Sequence, residues 1–120
     1  MTNDAAANDP QSLLPLPPVT FHILVTLADG DRHGYAIIQD IAARTEGELK
    51  IQAGTLYRSI QRMLEQGLVQ ETGSPLLGDD ERRRYYRLTP FGREVAQAEA
   101  RRLEQMVRLA RRSGLVPRKA

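Results

Sequence analysis

Arg58 and Arg62 stand one helical turn apart in the stretch AGTLYRSIQRMLEQGLV (Ala53–Val69), and Arg82, Arg83 and Arg84 stand consecutively in ERRRYYR. A guanidinium forks onto paired planar acceptors, either guanine O6 and N7 in a major groove or the oxygens of a phosphate. These clusters are therefore suited to gripping an anion. The residues that make and break bonds form no constellation. His22 lies in an apolar run and His33 in a turn, neither with partners at metal-ligand spacing, and no H-E-x-x-H, G-x-S-x-G or phosphate-loop pattern occurs. His33 reads as a turn or cap hydrogen-bonding residue. Asp29 with Asp31, and Asp79 with Asp80 and Glu81, lack the spacing of a calcium loop. Cysteine is absent, which removes disulfides, thiolate metal sites and thiol catalysis. The reading is of a protein that is not an enzyme, with no catalytic residue, no metal site and no cofactor.

The elements that must position these arginines follow from periodicity. Residues 1–18, with Pro10, Pro15, Pro17 and Pro18 among Asn, Asp and Ala, read as a mobile or extended arm. From about Val19 the run VTFHILVTLAD is apolar almost all round, a helix buried on more than one side that stops at DGDRHG. A second helix from about Gly34 to Thr45 carries Ile37, Ile38, Ile41 and Ala42 on one stripe. ELKI (Glu48–Ile51) reads as a short strand leading into the third helix, where Leu56, Ile60, Met63 and Leu64 share one face and Gly67 ends the helix. Thr55, Arg58, Ser59, Arg62 and Gln66 take the other face.

LVQETG and RRYYRLT read as the two strands of a hairpin, joined by the turn-rich SPLLGDDER. Alternation puts Tyr86 and Leu88 on one face and Tyr85 and Arg87 on the other, without deciding which faces inward. Thr89 is placed to cap a helix that has Pro90 at its first position and runs to about Ser113 before Gly114. On it Ala96, Ala100, Leu103, Val107 and Ala110 keep heptad spacing for about two heptads, flanked by Met106 and Leu109.

Composition agrees with one mainly helical domain: 120 residues, 41% hydrophobic, 5% aromatic, no tryptophan. The formal charge of +2 conceals a division. Residues 1–81 carry five bases against twelve acids, net −7, and residues 82–120 carry twelve bases against three acids, net +9. Such asymmetry points to an anionic partner such as nucleic acid, or else to a solvated helix that uses arginine for solubility. The N-terminus has no basic run ahead of an apolar one, and no stretch approaches the length of a membrane span. A soluble, cytoplasmic protein without a membrane partner is expected.

Helix, helix, short strand, helix, hairpin, long helix is the order of a winged helix-turn-helix followed by a C-terminal helix. The expected fold is mainly α with a small β-hairpin. In it residues 19–89 form a winged helix DNA-binding domain, 90–114 a dimerisation helix and 115–120 a tail. The third helix must bury one side against its neighbours and lodge the other in a major groove. Thr55, Tyr57, Arg58, Ser59 and Arg62 are placed for double-stranded DNA, Arg58 for base edges and Arg62 for backbone. The plainer alternative makes both arginines solvated, with Arg62 paired to Glu65. Arg82, Arg83 and Arg84 at the hairpin tip suit phosphates or a narrow minor groove, although Asp79, Asp80 and Glu81 beside them could fold back and neutralise them in part.

Three co-ordered motifs, HGYAIIQDI (His33–Ile41), GTLYRSIQRMLEQGLV (Gly54–Val69) and RRRYYRLTPFGREV (Arg82–Val95), together resemble the PadR-like transcriptional regulators. The resemblance implies a homodimeric winged-helix repressor on an inverted-repeat operator, often autoregulatory and in some members released by a small aromatic or amphipathic effector. It assigns Gly54 to Tyr57 to the start of the reading helix, adds Tyr35 at the start of the second helix to the DNA-facing set, and gives the single C-terminal helix to dimerisation. Many relatives carry proline where this chain has Arg58, so the resemblance does not supply that residue's base contact. The apolar residues independently favour a dimer, since exposed Leu103, Met106, Val107 and Leu109 would leave a patch that monomers rarely tolerate. The expected interface joins Ala96, Ala100, Leu103, Met106, Val107 and Ala110 to Phe21 and Leu24 of the first helix, unless the long helix folds back on its own domain. A winged-helix module that binds protein and not DNA is the alternative function.

Overall fold

The computed structural model describes residues 9–73 and 84–117, in the order of four helices and three strands: α1 (Pro18–Ala28), β1 (Arg32–His33), α2 (Gly34–Arg44), α3 (Ala53–Glu65), β2 (Val69–Thr72), β3 (Tyr85–Leu88) and α4 (Pro90–Arg112). Helix α1 packs against α2, α3, α4 and β3. That central place explains its all-round apolar character: Ile23, Leu24 and Leu27 are buried together with Ile37, Ile41, Leu56, Ile60, Met63, Leu68 and Val95. The one hydroxyl fully buried on this helix, that of Thr26, donates to Asp40 of α2 and so is not left bare in the core.

The helix boundaries follow from local chemistry. Thr89 accepts the Gly92 N–H at 2.9 Å and Pro90 fills the first position of α4, where no N–H is needed. His33 caps α2, its Nδ1 accepting the Ala36 N–H at 3.2 Å. At the end of α3 Gly67 takes φ +77°, and the N–H groups of Leu68 and Gly67 return to Met63 and Leu64 at 2.9 and 3.2 Å, closing the helix.

The hairpin gains a third strand. The antiparallel sheet has the order β1-β3-β2, with Val69 opposite Leu88, Glu71 opposite Tyr86, and His33 opposite Tyr85. ELKI, expected as a strand, is not one. The free edge of β3 is already paired by Arg32–His33, and the apolar residues of ELKI serve the core instead, Ile51 buried and Leu49 partly so. Both tyrosines of β3 face inward in effect: Tyr86 enters the core, and Tyr85, on the opposite face, is covered by His33 in an edge-to-face contact at 5.3 Å.

Residues 9–17 depart from the expected arm. Asp9 caps a single 3₁₀ turn at Pro10–Leu13, Leu13 and Leu14 pack on the core, and Leu16 is buried. The apolar leucines between the prolines explain this, because proline stops a helix without preventing a docked extended segment. Residues 1–8 of that arm lie outside the described residues, as does the end of the tail, 118–120. Among the described residues no helix is long and apolar enough to cross a membrane.

Candidate nucleic-acid interface

Helix α3 divides its side chains sharply. Leu56, Ile60 and Met63 are buried, while Arg58 and Arg62 are exposed and Thr55 and Ser59 half-buried on the opposite side. The pairing of Arg62 with Glu65 does not form: Gln61 donates to Glu65 at 3.4 Å instead. Arg58 only approaches the Thr55 hydroxyl, also at 3.4 Å. Neither guanidinium has an ion-pair partner among the described residues, so both are available to an anion from outside.

Tyr57 has a second role that its exposure hides. Although 48% exposed, its phenol ring lies across the backbone of Gly34, where a Cβ would fall 2.7 Å from Cζ. Gly34 is thus a seat for Tyr57, and the tyrosine spaces α3 from the start of α2. Tyr35, 64% exposed, stands next to that seat. Gly34 was not among the expected site residues: a glycine at the first position of a helix is an ordinary feature of sequence, and only the packing of two helices gives it meaning.

The helix-turn-helix pair is fixed by charge as well as by apolar contact. Arg44 donates to Asp40 at 2.7 Å and to Asp29, linking the end of α1 to the last turn of α2. The Arg44 hydrogen bond holds the Asp29 carboxyl below its usual range. Arg87 of β3 makes a forked contact with Asp31, at 2.9 and 3.2 Å, which pins the turn before β1 to the wing. Arg87 is therefore exposed but committed. At the base of the wing Arg84 is exposed and lies 3.7 Å from Glu71 on the facing strand. Arg82, Arg83 and the acidic run Asp79 to Glu81 lie outside the described residues.

The residues expected at a dimer interface separate into two groups. Leu103, Met106 and Val107 are exposed on the projecting half of α4, Ala100 is exposed, and Ala96 and Ala110 are half-buried. Between α1 and α4 runs an open groove of about 260 Å³ lined by Phe21, Val25, Ala28, Leu88, Ala96 and Ala100, with Asp29, Arg44 and Arg93 among its polar residues. Leu24 differs from the others: it is fully buried in its own core and forms the floor of the groove.

Residues 23–98 match the model of the transcriptional regulator PadR-like family. A relative from Lysinibacillus sphaericus, described only as uncharacterized protein X, is 39% identical over 71 residues, which make up 59% of this chain and 64% of that protein, a little under two thirds of its length. Among solved structures, a transcriptional regulator from Clostridium thermocellum is 28% identical with a TM-score of 0.68, over 78% of this chain and 87% of that one. A PadR family regulator from Clostridium difficile shares the fold at 23% identity, TM-score 0.69, over 80% and 97% of the two chains. So does Bacillus subtilis PadR in complex with operator DNA, at 18% identity and TM-score 0.60, over 70% of this chain and 47% of that one. The winged helix-turn-helix with one long C-terminal helix is therefore the architecture of this molecule.

Proposed function

Because this chain belongs to the transcriptional regulator PadR-like family, we propose that it is a sequence-specific DNA-binding repressor that works as a homodimer on an inverted-repeat operator. The observation that carries the reading is the pair Arg58 and Arg62, exposed and without ion-pair partners among the described residues, on a helix whose other face is core. A desolvated groove edge or phosphate satisfies such cations, with Arg58 nearer the helix N-terminus placed for base edges and Arg62 for backbone. Arg84, with Arg82 and Arg83, serves the wing's contact to phosphate.

Two copies would meet through the apolar face of α4, each covering Leu103, Met106 and Val107 and reaching the groove beside Phe21 of the other. A two-fold axis then sets the reading helices roughly 34 Å apart, one turn of duplex. A small aromatic or amphipathic effector seated between α1 and α4 would favour one helix spacing over another and so change operator affinity. Action in the cytoplasm follows from this role.

The test is binding to the DNA upstream of the chain's own coding region. Arg58→Ala is expected to lose sequence preference, at a cost of about 1–3 kcal/mol at the contacted base pair. Replacing Arg82, Arg83 and Arg84 together is expected to weaken binding to all sequences and to flatten its salt dependence. Binding that ignores salt, or a chain that stays monomeric and does not bind duplex at low ionic strength, contradicts the proposal and favours a protein-binding module.

A further inference from the structure

The last buried residue of α4 is an acid. Gly92, Val95, Ala98 and Glu99 are buried, and from Ala100 onward the helix projects with no buried residue. Glu99 is only 2% exposed. Its Oε2 accepts the backbone N–H of Leu16 at 3.0 Å, and Arg102 donates to both carboxylate oxygens, at 2.6 and 3.0 Å. Leu16 is itself buried, between Leu13 and Leu14 on the core and the start of α1. The segment ahead of α1 is thus tied to α4 at the point where the helix leaves the domain.

An ion pair with one buried member is a poor way to gain stability, since apolar residues in place of both partners commonly do as well or better. What a carboxylate adds is a specific partner: Glu99 is buried on α4, and one of its donors is the backbone N–H of Leu16, in a segment that packs on the core through Leu13, Leu14 and Leu16. We infer that Glu99 and the segment 9–17 form a latch that fixes the angle at which α4 departs from the winged domain, and through it the operator spacing the dimer accepts. The inference rests on the dimeric DNA-binding reading above.

The lever is long enough for this to matter. Residues 100–112 extend about 20 Å at 1.5 Å per residue. A tilt of about 10° at Glu99 displaces the far end by about 3.5 Å, close to the rise of one base pair. Half-site spacing is a geometric property of the dimer, so an error of that size is read by the DNA.

The test compares Glu99→Leu, which removes both contacts, with Glu99→Gln, which keeps an acceptor for Leu16 and loses the charge. The chain has no cysteine, so spin labels enter cleanly at Gln61→Cys on α3 and Gln105→Cys on α4, diluted with unlabelled chain. One narrow distance distribution is expected for the native latch, a broad or shifted one for Glu99→Leu, and an intermediate one for Glu99→Gln. On duplexes with the half-sites moved one or two base pairs apart, Glu99→Leu is expected to lose discrimination about fivefold or more, with affinity for an isolated half-site little changed. Unchanged distances together with an unchanged spacing preference overturn the latch while DNA binding stands. If the unmodified chain binds no duplex, the DNA-binding reading fails, and the distances alone decide the latch.

Discussion

Gly92 shows how one missing side chain holds two elements together. In the first turn of α4 it lies against Leu68, where a Cβ would press on the carbonyl oxygen and come 2.9 Å from the carbonyl carbon and 3.0 Å from Leu88 Cδ1. Backbone cannot swing aside, so Gly92→Ala is expected to cost about 1–3 kcal/mol, read as a lower denaturation midpoint. Gly34→Ala differs in kind, because the group in its way is the Tyr57 ring, which is half exposed and free to turn out. That change is expected to leave the denaturation midpoint nearly in place while moving the Tyr57 ring resonances and weakening DNA binding. Arg58 and Arg62 were legible as candidate anion contacts from type and spacing, whereas the seating of Tyr57 on Gly34 was not, since it joins residues of two helices.

At the scale of elements, the helix-turn-helix is held by a polar cluster in addition to its core. Asp40 accepts from both buried Thr26 on α1 and Arg44 on its own helix. Asp40→Ala strands the Thr26 hydroxyl, and an unsatisfied buried donor costs about 1–3 kcal/mol. Urea denaturation should show that loss, and a much smaller one for Asp29→Ala, whose partner lies in solvent. Thr89→Ala removes the cap of α4 and is expected to cost about 1 kcal/mol by the same measurement. The helices, the hairpin and the caps at Thr89 and Gly67 could be read from periodicity and turn residues because those signals are local. The exchange of ELKI for Arg32–His33 as a strand could not, because which segment reaches the edge of β3 depends on where α1 delivers the chain.

For the whole molecule, the titration of buried groups limits the pH range of stability. Arg102 holds the Glu99 carboxyl below the usual range, assisted by the Leu16 N–H and opposed by burial. A carboxyl depressed on folding contributes fully above its unfolded value and loses that contribution as pH falls through its native value. Burial, with the nearby Glu71, raises Tyr86. Its contribution is full below the ordinary tyrosine value and is lost as pH rises through the native one. A denaturation series over pH is therefore expected to show a plateau through neutrality, with losses in acid and in strong alkali, and Glu99→Leu should flatten the acid limb. By itself the sequence determined the helices, the hairpin, the charge division between its parts and the family, because each is written in residue type at short range. Tertiary structure decided that residues 9–17 dock, that Leu24 lies in the core beneath the groove, that Arg87 is committed to Asp31 and that Glu99 of α4 bonds to Leu16. Each of those joins positions far apart in the chain, and a contact of that kind exists only once the chain has closed on itself.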